Sequence, residues 1–335
     1  MRLSYKFLIT ALAVPAALLV LVAAPAAAQT AKSKSSAVPR IDGHPDLSGI
    51  WTNATLTPME RPAQFAGKPT LTDAEAAVYE QAAAQDLKAE DGASDGPIIR
   101  AAGSSGTGGY NALFLDRGTQ MDRIDGVKRS SLIVDPPDGK VPPVSDAAKA
   151  RRAKEMRNFF NYDDVKNRPL SERCIIGFGS TAGPPMMPVL YNNTYEFVQT
   201  KDSIMILVEM VHDIRVIKMN GTHAPSNVRT LLGDSIGHWE GDTLVVDTTN
   251  FRQEGAFFGA SENLHVIERF ERTGPETILY KVTIDDPATY TKQWTMEFPF
   301  NATKGPVYEY ACHEGNYAMN DIMGGARKME QEKKK

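Results

Sequence analysis

Residues 204–251 read IMILVEMVHDIRVIKMNGTHAPSNVRTLLGDSIGHWEGDTLVVDTTNF. Residues 204–219 are rich in Ile, Val and Met, side chains that suit a pleated, half-buried surface, and the run ends on the turn pair Asn220-Gly221. Gly241-Asp242 then sits between two further apolar runs, 235–239 and 243–249, as the tip of a tight hairpin. Successive strand residues point to opposite faces. Read as one strand, 204–217 puts Ile204, Ile206, Val208, Met210, His212, Ile214 and Val216 on a core face. The other face begins apolar and then carries Glu209, Asp213 and Arg215. Those charges either leave the core and are solvated, or line a cavity where Asp213 and Arg215 neutralise each other and Glu209 meets a ligand, because buried charges need partners.

Working outward, the pattern repeats. Residues 195–199, 265–272, 277–284 and 293–299 also read as strands, and Lys201-Asp202, Gly274-Pro275 and Asp286-Pro287 separate them. In 277–285, Ile278, Tyr280, Val282 and Ile284 alternate with Thr277, Lys281, Thr283 and Asp285, the mark of an antiparallel sheet with one wet face. Residues 72–91 form a helix begun by the capping box Thr72/Glu75, and Ser145 caps a basic helix to about residue 160. Gly49-Ile50-Trp51 is the G-x-W tripeptide with which lipocalin-type barrels begin. The predicted fold is mainly β: an antiparallel β-barrel or sandwich of calycin-like character, with two or three peripheral helices in the N-terminal half.

Residues 1–28 read as a secretory signal: Arg2 and Lys6, an apolar stretch, then Ala26-Ala27-Ala28, with the mature chain starting near Gln29. Residues 29–40 are a linker, 41–327 one β-rich domain with helical and loop insertions at 72–190, and 328–335 a disordered basic tail. The expected location is periplasmic or secreted, with no transmembrane segment in the mature chain. The balance of 37 basic and 41 acidic residues gives no basic excess to suggest nucleic acid. Cys174 and Cys312 read as one disulfide in an oxidising compartment; a catalytic thiol and a metal ligand compete with that reading. The Gly-rich stretch 92–109 lacks the Lys-Ser/Thr of a phosphate loop. The Gly/Pro-rich stretch 177–188 reads as either a lid or a plain connection.

The runs DLSGIW (46–51), HDIRVIKMNG (212–221), GHWEGDTLVVDTTNF (237–251), NLHVIERF (263–270), TIDDPATYTKQW (283–294) and YEYACHEGNY (308–317) resemble an uncharacterised family of exported bacterial β-rich proteins. The resemblance implies export and shared ancestry and brings no reaction with it.

Candidate functional residues therefore rest on chemistry alone. Glu209, Asp213, Arg215 and His265 form an acid–base set, since a buried carboxylate near His and Arg can move protons. His212, Asp247, Arg269, Trp239 and Glu314 are the candidate ligand contacts. A zinc site from His212, His265, His313 and Glu209 or Glu314 is conceivable across strands, but no HExxH or HxH pattern supports it, so no metal or cofactor is expected. Cys312-His313-Glu314 prints like a triad, yet neighbours on a strand diverge. The leading function is binding of a small, partly apolar molecule in a polar-lined pocket. The alternatives are a cofactor-independent lyase, isomerase or hydrolase, and a structural envelope component, which would show an exposed apolar patch.

Overall fold

The computed structural model describes residues 38–92, 115–177, 183–255 and 257–334. The expected signal at 1–28, the linker as far as 37, the Gly-rich stretch 93–109 and residues 178–182 lie outside them.

Among the described residues, nine strands close into a barrel. They are β1 (Gly49–Thr52), β2 (Thr194–Gln199), β3 (Ser203–Val208), β4 (Ile214–Met219), β5 (Asp234–Glu240), β6 (Thr243–Thr249), β7 (His265–Gly274), β8 (Thr277–Asp285) and β9 (Trp294–Ala302). Each strand pairs with the next in sequence, and β9 returns to β1 through Asn301↔Thr52 and Ala302↔Trp51. A short strand, Ile133–Asp135, shares that edge of β9. Strands that alternate in direction close a ring only in even number, so a ring of nine needs a like-directed pair. That pair is β4–β5, parallel through Ile217↔Ser235, Lys218↔Ile236 and Met219↔Gly237; the other seams are antiparallel. Parallel neighbours need a crossover, and residues 220–233 supply it.

The interior is filled by rings. Tyr280 lies 5.0 Å from Phe270, 5.0 Å from Phe298 and 5.5 Å from Phe300, centroid to centroid. Tyr195 meets Phe300 edge-on at 5.2 Å, and Phe197 reaches both Phe270 and Phe300 at 5.9 Å. Trp51, at the start of the barrel, is buried and donates its indole N–H to the Leu47 carbonyl at 3.0 Å. The Pro-rich run 184–188 is no exposed lid. Met186 is wholly buried in the core; its N–H donates to Tyr280 Oη at 3.2 Å, and its carbonyl accepts from Asn53 Nδ2 at 2.9 Å.

The stretch read as one strand from 204 to 219 is two. Val208 N–H bonds to the Asp213 carbonyl at 2.8 Å, and β3 pairs antiparallel with β4 through Leu207↔Ile214 and Ile204↔Ile217. Val211 and His212 turn the chain with φ of 58° and 47°. Nothing in Glu209-Met210-Val211-His212-Asp213 is a Gly, Pro or Asn, so the turn carries no composition signal. It resets the side-chain parity. Ile204, Ile206 and Val208 face the core as expected, but beyond the turn Arg215 and Ile217 point inward, while Ile214 and Val216 are 55% and 52% exposed.

The expected helices are present: α1 (Asp73–Gly92), where Thr72 and Glu75 exchange the reciprocal bonds of a capping box, and α2 (Asp146–Phe159), whose Ala148 N–H donates to Ser145 Oγ. A third, α3 (Ala318–Lys333), lies at the C-terminal end and not in the N-terminal half, and it continues through the segment expected to be a disordered tail from 328. No helix among the described residues is long and apolar enough to cross a membrane.

Candidate functional site

The parallel seam opens a cleft. Pairing between β4 and β5 begins only at Ile217↔Ser235. Extended in that register, Ile214 and Arg215 would meet Leu232 and Gly233, which belong to the Thr230–Gly233 turn instead, so the two walls separate. Gly233 makes the turn possible: its φ is +73°, and a Cβ there would meet Thr248 Cγ2 at 2.7 Å and the Thr249 carbonyl at 2.8 Å. Gly237 lets the paired half close up, because a Cβ would meet Ile217 Cγ2 and Met219 Sδ at 2.8 Å. The resulting cleft has a volume of about 410 Å³, within the range of small-molecule sites. Ile175, Ile176, Ile214, Val216, Leu231 and Leu232 give it aliphatic walls; Asp213, Arg215, Thr230 and Ser235 are its polar members.

Asp213 is half-buried, and that burial pushes its carboxyl up to about 6, countered by a hydrogen bond from Gly177 N–H at 3.4 Å and by the neighbouring His212. Arg215 belongs to the barrel as much as to the cleft. Its Nη1 donates to Glu268 Oε1 at 2.8 Å, and Nη2 pairs with Glu268 Oε2. Nε and Nη2 also donate to Ser235 Oγ at 3.1 and 3.0 Å, and Nη2 to Thr248 Oγ1 at 3.1 Å. Tyr280 Oη donates to Glu268 Oε1 at 2.8 Å. The cation is thus compensated by Glu268, not by Asp213.

The Cys174–Cys312 disulfide is formed. It anchors one cleft wall, since Ile175 and Ile176 follow Cys174 directly, and ties it to the exit segment after β9. Glu209 secures the same segment: it is buried, and its Oε1 accepts the Tyr308 N–H at 3.1 Å. His212 Nδ1 lies 3.2 Å from the Tyr310 carbonyl.

The remaining candidates lie elsewhere. His265 sits on the barrel's outer face, its Nε2 2.6 Å from Asp247 Oδ2. Asp247 also meets His223 Nε2 at 2.9 Å, and His223 Nδ1 is 3.3 Å from Asp234 Oδ2, so the crossover is tied to β5 and β6. The bond to Asp247 raises His265, and His265 holds Asp247 below the ordinary carboxylate range. Arg269 is engaged with Glu240 at 2.7 Å, Trp239 stacks on His44 at 4.6 Å, and Glu314 is exposed. The acid–base set Glu209, Asp213, Arg215 and His265 is therefore divided: only Asp213 and Arg215 share a site. Among the described residues no three His, Cys, Asp or Glu side chains form a metal-binding group.

Sequence reasoning missed Glu268, His223 and the leucine lip of the cleft. Glu268 had a usable signal: it lies between Val266 and Phe270 on the inward parity of β7, a charge where only a buried partner makes sense.

No protein-family model, curated protein or solved structure matches this chain.

Proposed function

We propose that this protein is exported and binds a small, partly apolar molecule in the cleft at the β4–β5 seam. One observation carries the reading. A partly desolvated carboxylate, Asp213, stands among six aliphatic side chains in an open cleft, and no ion pair among the described residues uses it. Buried polar groups in a structural role are partnered; the Arg215–Glu268 network is an example, while among the described residues the Asp213 carboxylate has only the long bond from Gly177. Export is supported by the signal-like pattern of residues 1–28 and by the disulfide, a bond of oxidising compartments. Binding is favoured over acid–base catalysis because the groups such chemistry would use occupy separate places in the fold.

The test is native mass spectrometry of the protein isolated from the periplasm of a bacterial host, against V216W. Val216 points outward into the cleft, so the indole fills the space without entering the core. The expected result is a mature chain starting near Gln29 with a retained small molecule, absent from V216W at unchanged circular dichroism. Equal retention by both proteins would place binding elsewhere and refute the cleft.

A further inference from the structure

We propose that the seam cleft selects an organic ammonium ion with an aliphatic body, Asp213 pairing with the cationic nitrogen and the isoleucine and leucine walls covering the chain. This rests on the cleft being a binding site and adds the charge of its ligand. The cleft's charges do not balance. Its cation, Arg215, is 2% exposed at the side chain and is already paired with Glu268, with Ser235 and Thr248 taking further guanidinium hydrogens. An anionic ligand would find no unpaired cation there. Ser235 Oγ is occupied too: it accepts two Arg215 hydrogens and lies 3.0 Å from Thr248 Oγ1.

Asp213 is in the opposite position. It carries a negative charge into a half-buried place, and among the described residues its carboxylate accepts one backbone N–H, at 3.4 Å. Among the described residues the charged groups that line the cleft are Arg215, neutralised from the barrel side, and Asp213 itself; the His212 ring, next to Asp213, is turned toward the Tyr310 carbonyl. A ligand ammonium restores to the carboxylate what burial removes. A carboxylate ligand would add a second like charge, which opposes ionisation of both. The walls set the rest of the ligand, because Ile175, Ile176, Ile214, Val216, Leu231 and Leu232 offer contact area and no hydrogen-bonding side chain.

The experiment uses the full mature chain and three probes of equal length: hexylamine, hexan-1-ol and hexanoate, titrated by ¹H–¹⁵N NMR near neutral pH. Hexylamine is expected to shift the amides of Val216, Leu231 and Leu232 and to bind at least about tenfold more tightly than hexan-1-ol, ~1.4 kcal/mol, with hexanoate weakest. In D213N, amine and alcohol should bind within about twofold of each other. The wild type gives a second measurement that needs no variant: lowering the pH from about 7 to about 5 protonates Asp213 and should weaken hexylamine while leaving hexan-1-ol unchanged. Hexanoate binding as well as hexylamine, or an amine preference surviving both D213N and acid, would overturn the inference while leaving the cleft a binding site. If none of the probes moves the cleft amides, the binding reading falls and this inference with it.

Discussion

The Arg215–Glu268 pair decides whether the centre of this barrel is a dry structural joint or an extension of the cleft. E268Q leaves the guanidinium buried with its hydrogen bonds to Ser235 and Thr248 but without its counter-charge. Removing one member of a buried pair costs about 3–5 kcal/mol, because the other charge stays out of water. For a domain of this size that is a fall in Tm of roughly 5–8 °C. R215M should cost a similar amount, because it strands the Glu268 carboxylate, which is 0% exposed at the side chain and keeps, among the described residues, only the Tyr280 hydroxyl. The double variant R215M/E268L replaces the pair with apolar groups of comparable size, and such replacements run from neutral to about 4 kcal/mol stabilising.

The assay is equilibrium urea unfolding of the wild type and the three variants, followed by tryptophan fluorescence. A cost below about 1 kcal/mol for E268Q or for R215M would mean that water reaches the pair. Arg215 would then be available to a ligand, and the charge argument for the cleft would fail at its first step. A stable double variant that still binds hexylamine would show that Arg215 holds the barrel together and does not recognise the ligand.

Two further outcomes follow from the same structure. The His265–Asp247 contact raises His265, so the stability it contributes is fully present below the unfolded value of 6.5 and is lost as the pH rises through the higher folded value. H265Q should flatten stability against pH in that window, as read by thermal unfolding across it, and an unchanged profile would remove the ion pair from consideration. Breaking Cys174–Cys312 should cost about 2–4 kcal/mol and raise hydrogen exchange at Ile175, Ile176 and Gly177, the wall nearest Asp213; a stability loss without faster exchange there would separate the disulfide from the cleft.

The barrel was legible because its strands carry period-two patterns and most of its hairpins carry turn residues. Ile278, Tyr280, Val282 and Ile284 face inward as their spacing required, and Gly241-Asp242 joins β5 to β6 in register. Thr72/Glu75 and Ser145 announced their helices through cap chemistry that acts locally. The β3–β4 turn was not legible, because it is made by Val211 and His212 in left-handed backbone, which β-branched residues adopt only under tertiary constraint. One missed turn had a large effect. A strand read through its turn inverts parity beyond it, which sent Ile214 and Val216 to the core when they are exposed along the cleft, and hid that Arg215 reaches into the barrel. The pairing of His265 with Asp247 was equally hidden, since it joins β6 to β7 across the outer face and has no spacing in the sequence.

The position of the cleft is not an accident of loop packing. A barrel of sequential hairpins with nine strands must hold one parallel seam, and a parallel seam cannot be closed by a hairpin. The crossover 220–233 has to leave one strand, travel back and enter the next at the same end, and where it enters, the backbone of 230–233 turns and does not pair with β4; Thr230 bridges to Phe251 instead. The half of β4 before Ile217 is therefore left without a neighbour on that side. Inward, the gap is stopped by Arg215, whose long side chain spans to Glu268 on β7 and supplies the donors that missing strand pairing leaves out. Outward, it is bordered by aliphatic residues that a continuous sheet would have covered. An odd strand number thus produces at one seam both the buried ion pair that stabilises the barrel and the open, aliphatic, uncompensated cleft beside it.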